Sequence, residues 1–404
     1  MKEPKIRFKG FSGEWKIEKI GNFSTSFSGG TPTAGVPAYY GGNIPFIRSG
    51  EIHEDKTELS LTEKGYNNSS AKIVEIGTLL YALYGATSGD VAISKIQGAI
   101  NQAILAITPY KLVETDFLAD FLLCNKNKIV GELLQGGQGN LSGSLVKDIN
   151  VAYPCISEQQ SIASYFQHLD ALIQSTTIKI ESLKQVKAAS LQSMFPQEGE
   201  TTPQVRFKGF EGEWEKVKFG EVAKIRRGLT YSPFNLRDKG IRVLRSSNID
   251  EDTFVISEND VFVNKECINI EYAEEGDILV TAANGSPRLV GKHAIINNIG
   301  TNTTVVGGFM LLISSNESTF LNASMSSSWY SQFLKVGVAG GNGAIGNLNK
   351  QDLEDCELLI PNKKEERNHI ASYFTTLDRQ ITLHTQRLEK LKQIKAACLD
   401  KMFV

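Results

Sequence analysis

The 404-residue sequence has few of the residues that build metal centres or disulfide frameworks. Its five cysteines and five histidines are scattered, with no C-x-x-C pair and no H-E-x-x-H spacing. Thiols that are odd in number and far apart predict free cysteines in a reducing compartment, and they exclude a disulfide scaffold. The same scatter argues against a metal site, so we expect no metal ligands in this chain.

Long apolar runs are missing as well. No stretch reaches the ~18 consecutive apolar residues of a membrane helix, and the first residues, Met1 to Arg7, carry charges where a signal peptide needs an apolar segment. We therefore expect a cytoplasmic protein without membrane contact. A length of 404 residues predicts two to three domains, and 41% apolar with 22% charged residues is typical of a folded chain.

The chain also lacks an excess of basic residues. Its formal net charge is −2, whereas domains that bind nucleic acid by themselves are usually basic. If DNA is the target, the positive charge must be local, or partner chains must supply part of it.

Signatures of common catalytic sites are absent too. There is no G-x-x-x-x-G-K-[ST] phosphate loop, no G-x-S-x-G nucleophile turn and no Asn/Asp-Pro-Pro-aromatic pocket for methyl transfer to a base. We therefore predict no catalytic residue in this chain.

What the sequence does contain is an internal duplication. The segment P-K-I-R-F-K-G-F-S-G-E-W at residues 4–15 returns as P-Q-V-R-F-K-G-F-E-G-E-W at 203–214, and I-A-S-Y-F at 162–166 returns at 370–374. The segment L-K-Q-V-K-A-A at 183–189 returns as L-K-Q-I-K-A-A at 391–397. The repeat unit is therefore half of the chain, and each half needs the same fold.

The middle of each half predicts a mixed, mainly β globule. Short runs rich in Ile, Val and Tyr alternate with Gly, Asn and Ser turns, as in residues 44–49 and 241–246. Helices are expected near 116–134 and 319–335. The fold class is thus α+β, and Trp15 and Trp214 are expected to anchor the start of each globule in its core.

The end of each half predicts a long helix, over about 158–195 and 365–403. Apolar residues recur there every three or four positions, which is the pattern of a helix with one apolar stripe. Each stripe could pack on its own globule, but two nearly identical stripes favour an antiparallel pair of helices with a pseudo-twofold axis. Thr176 and His384, the central polar positions, should then meet. The predicted seam consists of Ile162, Phe166, Leu169, Ile173, Thr176, Ile180, Leu183, Ile370, Phe374, Leu377, Ile381, His384, Leu388 and Leu391.

These segments divide the chain into five parts. We predict a first globular domain at 1–157, a first helix at 158–195, a linker at 196–203, a second globular domain at 204–363 and a second helix at 364–404. The linker is assigned because residues 196–203 contain Pro, Gly and charged residues but no apolar residue.

One glycine-rich stretch imitates a nucleotide-binding fingerprint. Gly341 to Gly346 fits G-x-G-x-x-G, but the mechanism of that motif requires a preceding strand and a helix that opens on the glycines. The corresponding loop of the first half, residues 135–141, has lost the spacing. We therefore predict a polar glycine loop in both halves and no cofactor bound by this chain.

The polar turns of the two globules are candidates for contacts with DNA. Arg donates two parallel hydrogen bonds to guanine or phosphate, and Asn or Gln amides fit the edge of adenine. Each Arg could instead pair with a nearby acid such as Glu51 or Asp250, and each of the others could be an ordinary solvated turn residue. The candidates are Arg48, Ser49, Tyr84, Thr87, Ser88, Gln135, Gln138, Arg245, Ser246, Asn284, Ser286, Arg288 and Asn342.

The duplicated R-F-K-G-F-x-G-E-W opening, the I-P-F-I-R-S-G-E-I stretch, the P-x-x-x-E-Q-Q-x-I-A segment at 154–163 and the terminal Leu-Lys-Gln helices together resemble the specificity subunit of Type I restriction-modification systems. The resemblance extends over almost the whole chain. The second half departs from it at Glu366-Arg367, where the family usually has Glu-Gln, and this weakens any inference about a partner contact there.

The resemblance implies two target recognition domains separated by an antiparallel coiled coil of two long helices. It further implies a bipartite target in double-stranded DNA, two methyltransferase (modification) subunits that hold S-adenosylmethionine, and motor-nuclease subunits. Two other hypotheses stay open: a self-sufficient DNA adenine methyltransferase, and a scaffold that does not bind DNA.

Overall fold

The computed structural model describes residues 3–133, 140–337 and 346–404. The chain forms two compact units. Unit 1 comprises Met1–Thr177 with Gln386–Val404, and unit 2 comprises Ile178–Thr385. Each unit therefore contains one globule, the first turns of the helix that follows this globule, and the last turns of the helix from the other half of the chain.

The first half of the chain contains ten strands and six helices within its described residues, together with short 3-10 turns at Pro37–Tyr39, Ser49–Glu51 and Gly85–Thr87. The strands are β1 (Lys16–Lys19), β2 (Ser24–Ser28), β3 (Tyr40–Ile47), β4 (Ser60–Leu61), β5 (Lys72–Val74), β6 (Leu79–Ala82), β7 (Val91–Ile93), β8 (Gly98–Ile100), β9 (Ile104–Pro109) and β10 (Asn150–Tyr153). The helices are α1 (Ile20–Phe23), α2 (Glu63–Asn67), α3 (Thr115–Cys124), α4 (Lys126–Leu133), α5 (Gly143–Lys147) and α6 (Ile156–Ser193).

The second half repeats this arrangement, with 3-10 turns at Pro233–Asn235, Ser246–Asn248, Lys265–Cys267 and Pro287–Leu289. Its strands are β11 (Glu215–Lys218), β12 (Lys224–Arg227), β13 (Leu236–Arg237), β14 (Ile241–Leu244), β15 (Ile249–Asp250), β16 (Thr253–Phe254), β17 (Val261–Val263), β18 (Ile278–Thr281), β19 (His293–Ile295), β20 (Thr304–Val306), β21 (Met310–Ser314) and β22 (Glu357–Ile360). Its helices are α7 (Phe219–Val222), α8 (Ser318–Met325), α9 (Ser328–Gly337), α10 (Lys350–Asp355) and α11 (Lys364–Met402).

Each globule is built on two four-stranded sheets. In unit 1 their strand orders are β2-β9-β6-β7 and β4-β3-β8-β5, and in unit 2 they are β12-β21-β18-β19 and β13-β17-β14-β20. The pairs β3–β8 and β14–β20 are parallel, whereas the other pairs are antiparallel. The mixture of sheets and helices confirms the predicted α+β class, and helices α3, α4, α8 and α9 lie where helices were expected.

A small antiparallel sheet closes the base of each globule and buries the predicted tryptophan anchor beside it. Strand β1 pairs with β10 so that Lys16 faces Tyr153, and β11 pairs with β22 so that Glu215 faces Ile360. Trp15 and Trp214, one residue before these strands, are buried in the two main cores, as predicted. The anchor thus fixes the start of the globule to the strand that leads into the long helix.

The two long helices contact each other within unit 1 in antiparallel order. Lys395 Nζ lies 2.5 Å from Asp170 Oδ1, and the Tyr165 hydroxyl lies 3.4 Å from the Cys398 sulfur. Residue numbers rise along α6 as they fall along α11, so the two segments run in opposite directions.

The same two contacts recur in unit 2, at positions 208 residues away in the repeat. Lys187 Nζ lies 2.8 Å from Asp378 Oδ1, and the Ser190 hydroxyl lies 2.8 Å from the Tyr373 hydroxyl. Here the final turns of α6 pack against the first turns of α11, again in antiparallel order.

The apolar stripes of the helices serve both of the packings considered above. Ile162 and Phe166 belong to the core of unit 1 together with Trp15, and Ile370 and Phe374 belong to the core of unit 2. The first turns of each helix therefore pack on their own globule and on the other helix at the same time. Of the fourteen predicted seam residues, Ile173, Ile381, His384 and Leu391 are half-buried and the others are buried.

The central polar positions are only partly explained by the structure. Thr176 is buried and donates its hydroxyl hydrogen bond to the Leu172 carbonyl oxygen at 2.6 Å, within its own helix. This bond satisfies the hydroxyl without any partner on α11. The meeting of Thr176 with His384 stays a prediction.

The helices begin and end close to their predicted limits, but the compact units divide the chain differently from the five predicted parts. Each unit boundary falls inside a long helix, at 177/178 and 385/386. The reason is packing, because one end of each helix is part of one core and its other end is part of the other core.

A buried ion pair ties the start of each half to its long helix. The Arg7 guanidinium donates through Nε and Nη2 to the two carboxylate oxygens of Glu158, both at 2.7 Å, and the carboxylate is only 1% exposed. Arg206 and Glu366 repeat the fork at 2.6 and 2.8 Å, again with a carboxylate that is 1% exposed. Because Arg matches a carboxylate in this two-bond geometry, the pair fixes both the distance and the orientation of the two segments.

We expect Arg206→Ala to lower the free energy of unfolding of unit 2 by about 3–5 kcal/mol, because it leaves the Glu366 carboxylate buried without its partner. Urea unfolding followed by tryptophan fluorescence measures this loss. Lys208→Ala is the matched control, since Lys208 is an exposed cation two residues further along the same segment. Equal stability of the two variants would contradict the anchoring role.

Candidate functional site

Three turns meet at one edge of unit 2, where the strands of both sheets end. The Gly307 amide donates to the Leu244 carbonyl at 2.8 Å, which joins the end of β14 to the turn between β20 and β21. The Ala282 amide donates to the Phe309 carbonyl at 2.9 Å, which joins the end of β18 to the same turn. We call this region the strand-end edge of unit 2 and define it as residues 245–248, 282–292 and 307–309.

This edge brings together most of the predicted site residues of the second half. The Asn284 side-chain amide donates to the Ser246 hydroxyl at 2.9 Å, and its carbonyl oxygen accepts from the Ser286 amide at 2.9 Å. Arg245 and Arg288 are exposed on the turns that carry these residues. The structure therefore places all five predicted residues of these two turns at a single edge.

The Arg245 guanidinium has no hydrogen-bond partner among residues 3–133, 140–337 and 346–404. Asn248, three residues later, is buried and accepts the Arg245 backbone amide at 2.8 Å, while its own amide donates to Asp260 at 2.8 Å and to the Val255 carbonyl at 3.0 Å. Within the described residues, no acceptor lies in hydrogen-bonding distance of the guanidinium, so the suggested pairing with Asp250 is not formed.

The corresponding arginine of unit 1 is in a different situation. Arg48 donates to both carboxylate oxygens of Glu51, at 2.8 and 3.1 Å, and to Glu58 at 2.5 Å. These hydrogen bonds raise the pKa of Arg48 and lower the pKa of Glu51. The alternative of a local acidic partner is therefore correct for Arg48, and Glu51 occupies the position at which unit 2 has Asn248.

The strand-end edge of unit 1 is built in the same way, from residues 48–51, 83–90 and 101–103. The Asn101 amide donates to the Ile47 carbonyl at 3.3 Å, and the Leu83 amide donates to the Ala103 carbonyl at 2.8 Å. The predicted residues Ser49, Tyr84, Thr87 and Ser88 are half-buried on these turns. The hydroxyls of Thr87 and Ser88 donate to the Tyr84 and Leu83 carbonyls at 3.4 and 3.1 Å, so both help to hold the turn.

Three further predicted residues, Gln135, Gln138 and Asn342, lie outside the described residues. The described chain that follows each glycine loop does reach the strand-end edge. The Leu141 amide donates to the Leu83 carbonyl at 3.0 Å, and the Leu348 amide donates to the Ala282 carbonyl at 2.7 Å. Leu141 and Leu348, which follow the two glycine loops in the sequence, are therefore bonded to the edge of their own unit.

Two residues at these edges were not predicted from the sequence. Gln102 and Phe309 both lie in the turn that joins β8 to β9 or β20 to β21, and both side chains are exposed. The letters N-Q at 101–102 and G-G-F at 307–309 indicate a turn between two apolar strands. The position of this turn between the other two turns depends on the parallel pairing of β3 with β8 and of β14 with β20, which the sequence does not show.

The described residues contain no group of three or more His, Cys, Asp or Glu side chains that could hold a metal ion. None of the helices within the described ranges is long and apolar enough to span a membrane. Burial raises the pKa of Asp120, which lies on helix α3, to about 7 against the opposing charge of Lys395. The edges are thus built from hydrogen-bond donors and acceptors on turns.

The sequence of the chain is similar to those of known proteins. A sequence model described as the Type I restriction modification DNA specificity domain matches residues 12–185 and again residues 211–393. The MjaIX specificity subunit of Methanocaldococcus jannaschii is 27% identical over 241 residues, which are 53% of this chain and 53% of that protein. The EcoKI specificity subunit of Escherichia coli K12 is 22% identical over 87% of this chain and 80% of its own length.

Solved structures show the same fold. The specificity subunit of a Type I restriction-modification system from M. genitalium superposes with a TM-score of 0.67 at 13% identity, over 100% of this chain and 99% of that one. A chain from a study of assembly and conformational transition in a type I restriction-modification system gives a TM-score of 0.52 at 15% identity, over 96% of this chain and 97% of that one.

Proposed function

Since this chain belongs to the family of Type I restriction-modification DNA specificity proteins, we propose that its two units read the two halves of a bipartite target in double-stranded DNA. Specificity subunits recognise DNA and are not catalytic, so the chain is not an enzyme. The proposal concerns how the recognition is divided and what the chain assembles.

The observation that carries this proposal is that the two units have equivalent backbone connections at their strand-end edges but different side chains on the turns. Both units join the same three turns through equivalent backbone hydrogen bonds, from Gly307 to Leu244 in unit 2 and from Asn101 to Ile47 in unit 1. The side chains presented there differ. Arg245 of unit 2 has no acidic partner within the described residues, whereas Arg48 of unit 1 is paired with Glu51. Two different sets of donors on one frame favour the reading of two different half-sites.

The long helices support a role as spacer and scaffold. The matched contacts Lys395–Asp170 and Lys187–Asp378 favour an antiparallel coiled coil with a pseudo-twofold axis. A duplicated scaffold presents the same surface twice, so it suits two copies of one partner. We propose that these partners are two modification subunits, that they hold S-adenosylmethionine, and that motor-nuclease subunits join them. In this proposal the chain itself binds no cofactor.

The two alternative functions are separated from this proposal by direct binding measurements. Binding of S-adenosylmethionine by the isolated chain would favour a self-sufficient methyltransferase. Failure of the complex with modification subunits to shift a long DNA duplex would favour a scaffold that does not bind DNA.

Replacement of residues 22–145 by the corresponding segment of a different family member should change one half of the recognised sequence and leave the other half intact. We expect this because unit 1 holds its strand-end edge through contacts within the same segment. Sequencing of methylated adenines in a host that carries the hybrid gene measures the outcome. A change in both halves of the motif would contradict independent reading.

Arg245→Ala should weaken recognition of the half-site of unit 2 by ~1–3 kcal/mol, if the guanidinium hydrogen-bonds a guanine edge. The stability of unit 2 should hardly change, because the guanidinium has no partner within the described residues. Arg48→Ala is the matched comparison, and it should lower the stability of unit 1 because it leaves Glu51 without its main partner. Target binding and thermal unfolding of both variants test this, and an unchanged preference in Arg245→Ala would remove the residue from the site.

Insertion of about one heptad into the middle of both helices should lengthen the gap between the half-sites and preserve both half-sites. The reason is that a helix lengthens by roughly 1.5 Å for each added residue. A paired helix is stiff, so the added length separates the two units further. Mapping of the methylated motif measures the gap. An unchanged gap, or helices that do not pair along their middle, would contradict the role as a spacer.

A further inference from the structure

We propose that Phe309 is a specificity residue that packs its ring on the 5-methyl group of a thymine in the half-site read by unit 2. This inference rests on the proposed function. It concerns one side chain that no resemblance and no sequence pattern assigned.

Main-chain hydrogen bonds hold the backbone around Phe309, and none of these bonds involves the side chain. The Met310 amide donates to the Gly307 carbonyl at 2.8 Å and closes a tight turn over Gly308 and Phe309. The Phe309 carbonyl accepts two amides, from Ala282 at 2.9 Å and from Ala283 at 3.0 Å. The turn is therefore held from both sides by main-chain bonds.

Phe309 is 75% exposed, although its backbone carbonyl and the turn around it are held by main-chain hydrogen bonds. The pair Ala82–Ile104 of unit 1 corresponds to the pair Thr281–Met310 of unit 2, and this correspondence aligns Phe309 with Ala103, which is buried. The frame therefore functions with a methyl group at this position. The ring is therefore not required by the frame, and its position beside the polar side chains of the edge makes it available to an apolar group of a ligand bound there.

The neighbours of Phe309 indicate what this partner is. A Cβ added at Gly307 would lie 3.8 Å from Arg245 Cγ, so the arginine side chain leaves the edge beside this turn. Asn284 follows Ala282 and Ala283, whose amides bind the Phe309 carbonyl. The edge thus contains a guanidinium, an apolar ring and a side-chain amide that keeps one hydrogen and one lone pair beyond its bonds to Ser246 and Ser286.

These three groups correspond to the features that distinguish bases in the major groove. Guanine presents two acceptors that suit Arg, adenine presents a donor and an acceptor that suit an amide, and thymine presents a methyl group that suits an apolar side chain. The ring cannot form a conventional hydrogen bond with a base edge, so thymine is the base that it can select. Insertion of the ring between two bases is the competing possibility.

The test uses the chain assembled with its modification subunits and duplexes that carry the mapped target. Each thymine of the half-site of unit 2 is replaced in turn by deoxyuridine, which lacks only the methyl group. At one position the wild-type complex should bind about fourfold more weakly, the value for one lost buried methyl group. Phe309→Ala should bind the normal target about four- to tenfold more weakly and should show no further loss with deoxyuridine.

Two controls make the result specific. Ile76→Ala removes another exposed apolar side chain, which precedes β6 and so lies at the opposite end of that strand from the edge of unit 1, and it should change nothing. The half-site of unit 1 should be read equally well by wild type and Phe309→Ala. Thermal unfolding of Phe309→Ala should match wild type, because the ring is not part of a core.

Several results would overturn the inference. They are an unchanged affinity of Phe309→Ala, an equal loss of affinity on target and scrambled DNA, insensitivity of the wild type to every deoxyuridine, or a half-site without thymine. A rise in 2-aminopurine fluorescence on binding, without sensitivity to deoxyuridine, would assign the ring to insertion between bases instead. A wild-type complex that does not prefer the target at all would refute the proposed function rather than the role of Phe309.

Discussion

The structure depends most on one interaction, the buried fork between an arginine and a glutamate at the start of each long helix. Glu158 and Glu366 are almost completely buried, and an ionised carboxylate in such a place is tolerated only with a partner that satisfies both oxygens. Arg7 and Arg206 supply this partner. Each arginine stands eight residues before the anchor tryptophan of its half. The fork therefore links the first segment of the half, the tryptophan and the first turn of the helix.

The last residues of each long helix also contribute to a core. Phe403, just beyond the end of α11, packs among Trp15, Phe117 and Phe166 in unit 1. Phe195, just beyond the end of α6, packs among Trp214, Phe320 and Phe374 in unit 2. Each core is thus completed by an aromatic residue from the other half of the chain. Each unit therefore contains core residues from both halves of the chain.

Most of this frame could be predicted from the sequence because it is written in local patterns. The repeat, the helical stripes and the buried tryptophans all follow from spacing and residue type. The fork could not be predicted, because Arg7 and Glu158 are separated by 151 positions and each alone is an ordinary charged residue. The partner of Arg48 could not be decided from the sequence for a similar reason. The spacing suggests an ion pair with Glu51, but the second bond, to Glu58, depends on the tertiary structure. The exposure of Phe309 is likewise a property of tertiary structure and has no signature in the letters G-G-F.

The two strand-end edges differ in one position that decides how the arginine of the turn is bonded. Glu51 and Asn248 hold the same turn by accepting the amide of the preceding arginine, at 3.3 and 2.8 Å. The Glu51 carboxylate also forms an ion pair with the guanidinium of Arg48, whereas the Asn248 amide donates its hydrogen bond to Asp260. Asn at this position therefore keeps the bond to the arginine backbone amide and lacks the ion pair. Arg48 has a second acidic partner in Glu58, whereas Arg245 has no acidic partner within the described residues. In both units the backbone of the turn is held by the same kind of bond to the arginine amide, so the side chains at the edge differ while the main-chain connections agree.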